Sequence, residues 1–225
     1  MWTSENDAVA IVDENGIVTG KSKGSTYIMA TVDNIQGIAE VTVSTIKKRV
    51  LSEMFTSSTW GPCASAERIL QASLKPGTVN YVGAELDSIW TLLSYHVWWP
   101  GQGNDPMYLA NTNMNRTRNN YYDNNYTPHM FTNGKDSGSN TTNWKNDPKN
   151  YLNKIGLHEI SISGFQSGND IDFNVTSSSV KNTASGQDVR LFIATVMDLV
   201  KYQNSPNGLI DHHNAVIEQI VGDEG

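Results

Sequence analysis

The chain has 225 residues, with 16 Lys and Arg against 23 Asp and Glu, a formal charge of −7 and a pI near 5.1. That balance leaves no basic stripe for phosphate and argues against nucleic acid as a partner. A hydrophobic content of 38%, with six Trp, nine Tyr and five Phe, excludes a disordered chain and suits one large domain or roughly two to three small ones. No apolar stretch approaches a bilayer span, so no membrane-spanning segment is expected. The single cysteine, Cys63, permits no disulfide within the chain and no cysteine-based zinc cage. Nothing in the pattern calls for a cofactor or a metal.

Asn, Ser, Thr and Gly are abundant and Lys and Arg few, the look of an extracellular or outer-surface bacterial protein. No signal peptide opens the chain: Met1 runs at once into the strand-like Trp2-Thr3-Ser4. The expectation is therefore that further sequence lies upstream. Sequons stand at Asn115, Asn125, Asn140 and Asn174 and are candidate glycan acceptors, although an Asn- and Thr-rich chain also produces them by chance.

Residues 2–44 read as short strands with turn punctuation. Ala8-Val9-Ala10-Ile11-Val12 leads into Asp13-Glu14-Asn15-Gly16, a hairpin turn in which Gly16 supplies a positive φ. Ile17-Val18-Thr19 follows, then a turn at Lys23-Gly24. Residues 26–32 and 38–43 alternate, which predicts strands with one buried and one wet face. Trp2-Thr3-Ser4, Val9-Ala10-Ile11-Val12-Asp13, Gly16-Ile17-Val18-Thr19-Gly20, Gly24-Ser25-Thr26-Tyr27-Ile28 and Val41-Thr42-Val43 together resemble the second half of the bacterial immunoglobulin-like domain, group 2. The resemblance implies a partial β-sandwich over residues 1–45 whose first strands are missing and whose edges await a strand.

After a linker at residues 45–49, residues 50–55 predict a buried strand and residues 64–73 a helix with Ala66, Ile69 and Leu70 on one face. Lys75-Pro76-Gly77 stops it. Residues 89–97 predict a second core strand and residues 107–121 a helix. Residues 127–135 read as turn, strand and turn. Residues 143–155 predict a helix capped at Asn143 or Asp147. Residues 157–162 and 171–176 predict a hairpin whose longer loop spans 164–170. Residues 189–200 predict a long strand, and residues 211–221 either a short helix or an edge strand.

The chemistry-bearing segment is Phe55-Thr56-Ser57-Ser58-Thr59-Trp60-Gly61-Pro62-Cys63. A cysteine at a helix start is favoured as thiolate by the helix dipole and free N–H groups. The segment resembles the active-site loop of thioredoxin-like proteins, in which two cysteines flank Gly-Pro. One attacks a disulfide and the second resolves the mixed disulfide. The resemblance puts Trp60 where the attacking cysteine belongs and Cys63 at the resolving position. Tyr126-Thr127-Pro128-His129-Met130-Phe131 resembles that family's cis-proline loop, with Pro128 as the proline. Ser94-Tyr95-His96, Asp105-Pro106 and the segment from Arg118 through Tyr121-Tyr122 are similar to the thioredoxin-like branch of bacterial outer-membrane and surface proteins.

The expected fold is thus multidomain α+β: a partial immunoglobulin-like sandwich over 1–45, a thioredoxin-like α/β domain with an inserted helical loop over 46–156, and a β-rich, incomplete C-terminal portion over 157–225. The expected function is non-catalytic, a structural or adhesive segment of a secreted surface protein. Its partners would be proteins or further copies of itself, joined through exposed sheet edges into a filament. The alternatives are a thiol-disulfide or single-cysteine redox protein and a glycan-binding module. Trp60, Gly61, Pro62, Cys63 and Pro128 form a relic redox loop in this reading. His96 is expected to be structural, with no orienting third group visible. Asp211-His212-His213-Asn214 is expected in an exposed turn, because adjacent strand histidines point to opposite faces and chelate poorly. Trp98, Trp99, Tyr121, Tyr122 and Tyr126 are read as loop anchors, with a sugar platform as the alternative.

Overall fold

The computed structural model describes residues 1–101, 104–180 and 190–220. The N-terminal strands are β1 (Trp2–Ser4), β2 (Ala10–Val12), β3 (Val18–Gly20), β4 (Gly24–Val32) and β5 (Ile35–Val43). They form one antiparallel sheet in the order β1-β4-β5 and a second of β2 and β3. The β4–β5 turn places Asp33 and Asn34 at φ 46° and 65°, the left-handed pair that matches a two-residue hairpin and that short polar side chains tolerate. The β2–β3 turn needs Gly16: its φ is 81°, and an added Cβ would lie 2.8 Å from the Trp2 ring.

The chain continues through β6 (Val50–Thr56), α1 (Gly61–Leu74), α2 (Ala84–Asp87), β7 (Trp90–His96), α3 (Pro106–Ala110), α4 (Thr112–Tyr121), β8 (His129–Thr132), β9 (Lys135–Gly138) and α5 (Thr141–Asn146). A 3-10 turn, Asp147–Tyr151, closes that run. Then come β10 (His158–Ser167), β11 (Asp170–Ser179), β12 (Ala194–Lys201) and β13 (Asp211–Gln219). The chain folds into two units, residues 1–48 with 153–187 and residues 49–152 with 188–225.

In the first unit, Val9, Ala10 and Ile28 are the buried apolar side chains among the described residues. The hairpin β10–β11 belongs to this unit and pairs over its whole length. Its register sets Ile160, Ile162, Phe173, Val175 and Ile171 on one face and Ser161, Ser163, Asn174, Thr176 and Asp172 on the other. Among the described strands it pairs with no third.

The second unit holds a six-stranded mixed sheet in the order β12-β13-β7-β6-β8-β9. β6 and β7 are parallel, joined by α1 as crossover, while β8 runs antiparallel to β6 and β9 to β8. Six of the seven residues of β6 are buried, as a central strand covered on both faces requires. Val50 and Met54 point to one layer with Leu70, Leu86, Trp90, Met130 and Trp144. Phe55 points to the other with Tyr95, Val97, Met114, Phe131 and Val216.

Several elements differ from the expectation. Residues 107–121 are two helices, because Asn111 (φ −154°) breaks the first and caps the second through Met114 N. Residues 143–155 contain only the end of α5 and the 3-10 turn, and the cap is Asn140, whose Oδ1 accepts from Thr142 N. The C-terminal hairpin has a tight turn at Gly168 and Asn169 in place of a loop over 164–170. Strand β12 begins at Ala194, and Val189 lies outside the described residues. Residues 211–219 form an interior strand, between β12 and β7, in place of a helix or an edge; Val221 lies outside the described residues. The 157–225 portion is divided between the two units, with β12 and β13 extending the sheet that begins at β6.

Candidate functional site

The β6–α1 loop sits at the carboxyl end of β6, where the parallel strands of a crossover unit open a crevice. Trp60 is the N-cap residue of α1 and offers no side-chain cap, while Pro62 occupies the first turn, where its missing N–H costs nothing. Cys63 N–H donates to Trp60 O at 3.1 Å. The buried face of α1 runs Cys63, Ala66, Glu67, Leu70, and Ile69 lies outside it, more than a third exposed. Trp60 is 42% exposed, and its indole is not part of the core.

Cys63 is fully buried. Its Sγ lies 3.3 Å from Thr127 Oγ1, and that hydroxyl donates to Phe55 O at 2.8 Å. The Thr127–Pro128 peptide is cis, as is Trp99–Pro100. Burial pushes the thiol pKa up, and the charge of Glu67 pushes the same way; hydrogen bonding with Thr127, Thr56 and the Ser57 backbone only partly offsets them. A cavity of about 610 Å³ opens beside the loop, lined by Pro62, Ala66, Ile69, Tyr126, Thr127 and Pro128 among others. The structure therefore brings Pro62, Cys63 and Pro128 to one place, while Gly61 and Trp60 start the same helix without lining the cavity.

Beneath the loop lies a buried polar cluster. Thr56 Oγ1 donates to Glu67 Oε1 at 2.7 Å, and Glu67 Oε2 is 3.2 Å from His212 Nδ1. His212 is fully buried on β13, not in an exposed turn as expected. Its ring meets that of His96 edge-on, with centroids 5.7 Å apart. His96 Nδ1 lies 2.7 Å from Asp105 Oδ2, which also accepts from Ser58 N at 2.6 Å. Asp105 Oδ1 caps α3 through Met107 N and Tyr108 N. Burial opposes a charge on His96, but Asp105 beside it outweighs burial and the pKa rises. Burial likewise opposes the Asp105 carboxylate, and His96 with the Ser58 and Tyr108 N–H groups turns the balance, so its pKa falls.

The sequence shows no orienting partner for His96, and Asp105 is that partner. Asp105-Pro106 is a helix-start signature, cap then first-turn proline, which could have flagged a buried cap. Glu67 carries no local signal for its contact with His212, which lies 145 residues away. On the other side of β6, Arg118 forks onto Glu53 at 2.7 and 3.0 Å, and the Tyr122 hydroxyl joins the same carboxylate. Burial lowers the Arg118 pKa but Glu53 more than restores it, so the guanidinium is held charged.

The remaining candidates separate. Trp98 and Trp99 are half-buried and edge-on to each other, and the Arg116 guanidinium lies 4.8 Å over the Trp98 ring, so they make no open platform. Asn115 is buried, accepting from His96 N and donating to Asn111 O and Met107 O; its sequon is out of reach of a glycan. Asn125, Asn140 and Asn174 are exposed. Among the described residues no group of three or more His, Cys, Asp and Glu is arranged to hold a metal, and no helix is long and apolar enough to cross a membrane.

No curated protein sequence matches the chain. Among solved structures, the chain is similar to HBP35 of Porphyromonas gingivalis, with a TM-score of 0.63 and 14% identity over 80% of this chain and 59% of that one. A protein of Agrobacterium tumefaciens aligns with a TM-score of 0.49 and 16% identity over 78% of this chain and 73% of that one. The chain thus spans 59% of the length of the Porphyromonas gingivalis structure, and at this identity the likeness is one of fold. By sequence, residues 1–43 match the bacterial Ig-like domain (group 2).

Proposed function

We propose that this chain is a non-catalytic structural or adhesive segment of a secreted bacterial surface protein, in which a group 2 Ig-like module precedes a degenerate thioredoxin-like domain. The single observation that carries the reading is a buried Cys63 at the start of α1 beside Thr127-Pro128, with Trp60 standing three residues before it. The order β7-β6-β8-β9 around a βαβ crossover supports the thioredoxin-like assignment. Disulfide exchange within one molecule takes two sulfurs, one to attack and one to release the mixed disulfide. A thiol whose pKa is pushed up by burial is also poorly suited to attack. The Ig-like match over residues 1–43 supports a surface location.

Assembly through sheet edges is the finer part of the proposal. Strand β5 has no outer neighbour among the described strands, and β10–β11 exposes Ile160, Ile162 and Ile171. Such edges accept a strand from another chain, and repeated head to tail they build filaments. The redox part is tested by turnover of a disulfide substrate with thiol reductant, wild type against Cys63→Ser. Equal background rates are expected; turnover that vanishes in the variant would overturn the reading. The assembly part is tested by light scattering across a concentration series. Growth of mass with concentration is expected, and a strict monomer at the highest concentration removes the filament.

A further inference from the structure

The β12–β13 hairpin is long, but β13 meets β7 in register at one pair, Ala215 with Ser94. Its tip is held elsewhere, on the loop before α1. Asn207 N donates to Ser58 O at 3.0 Å, and Asn207 Nδ2 reaches Ser57 O at 3.1 Å and Trp60 O at 3.4 Å. Ser205 Oγ also lies 3.3 Å from Ser58 O, sharing its one hydrogen between that carbonyl and Asn207 Oδ1. Thus three carbonyls of one loop are bound by one short segment. Arg68, exposed on α1, ties the outer side of the tip through Gly208 O at 3.1 Å. Below it, His212 is tied to Glu67 on the same helix.

The tip is itself braced. Asn207 Oδ1 accepts from Leu209 N and from Ser205 Oγ, both at 2.9 Å, which fixes the amide so that its N–H groups face the loop. The loop it holds forms part of the cage of Cys63. Trp60 O receives the Cys63 N–H at 3.1 Å.

We infer that residues 202–210 are a latch that holds residues 57–60 closed around Cys63, and that release of this latch is the motion that admits solvent to the thiol. The latch is separable from the sheet because its ties beyond its own hairpin go to the loop before α1 and to Arg68, while β6 and β7 are held by their own continuous ladder. It stands on these contacts whether or not the domain is redox-silent.

The test is the rate at which a small neutral maleimide labels Cys63 in the full chain, read together with amide hydrogen exchange. Asn207→Asp keeps the shape of the side chain but sets a carboxylate against the Ser57 and Trp60 carbonyls. Labelling is expected to accelerate roughly tenfold or more, with faster exchange at Trp60, Cys63 and Asn207 and unchanged exchange across β6 and β7. Arg68→Ala, an exposed substitution that leaves the core intact, is expected to accelerate labelling about two- to fivefold. Unchanged labelling in both variants overturns the latch. Accelerated labelling with equal loss of protection in β6 and β7 also overturns it, because the tip would then be a general stabiliser and not a separable closure.

Discussion

His96 and Asp105 meet at 2.7 Å with neither side chain reaching solvent, and the same Asp105 oxygen receives the Ser58 N–H. One carboxylate thus joins the end of β7, the start of α3 and the loop before α1. Removing it leaves an imidazole and several N–H groups buried without a partner. Asp105→Ala is expected to cost about 3–5 kcal/mol, measured by urea unfolding, whereas Asp105→Asn, which can still cap α3, costs less. A loss under about 1 kcal/mol for Asp105→Ala would mean that the cluster contributes little.

The same pair predicts a pH window. His96 has a raised pKa in the folded state, so its contribution is full below the ordinary value of 6.5 and is lost as pH rises through the folded value. Asp105 has a lowered pKa, so its contribution is present above the ordinary value of 3.8 and is lost as pH falls through the folded value. Both contributions are full between those two ordinary values. His96→Gln is expected to flatten the alkaline fall of a stability profile measured by denaturant midpoint, and an unaltered profile would contradict the assignment.

Glu53 and Arg118 make a buried fork with Tyr122, and the guanidinium is flanked by Tyr121 and Phe192 rings at 4.6 and 4.8 Å. Truncating one partner strands the other charge. Arg118→Ala is expected to cost about 3–5 kcal/mol, and pairing it with Glu53→Gln to cost less than the sum of the two single changes. Additive losses in a double-mutant cycle would show that the two residues are not energetically coupled.

Trp60 and Leu70 lie on one turn-and-helix segment and predict opposite outcomes. Leu70 has no solvent exposure, and Leu70→Ala should cost about 2–5 kcal/mol through the cavity it leaves. Trp60 is 42% exposed, and Trp60→Ala should change stability by no more than about 0.5 kcal/mol. Thermal melts of the two variants check both.

Legibility in the sequence followed the range of the interaction. The strand 50–55, the helix expected from Ala64 and the hairpin around Gly16 rest on periodicity and turn chemistry, which act within a few residues; all three are present, with the helix starting three residues earlier, at Gly61. Asn111 stands in a window that reads as one helix, and only its cap geometry shows the break. His212 reads as part of an exposed turn because its partner Glu67 lies 145 residues away. The interior position of β13 is hidden for the same reason: an apolar, partly charged strand near a chain end looks like an edge until the neighbour on its other side is known. Asp105 lies between, since its capping role is local and its grip on His96 is not.

In the reading proposed above, position 60 carries an indole where disulfide exchange would need a second thiol, and one measurement addresses that substitution directly. Insulin reduction with thiol reductant should run at the background rate with the wild-type chain and rise above it with Trp60→Cys, which supplies a second thiol three residues before Cys63. Turnover by the wild-type chain, lost in Cys63→Ser, would contradict it.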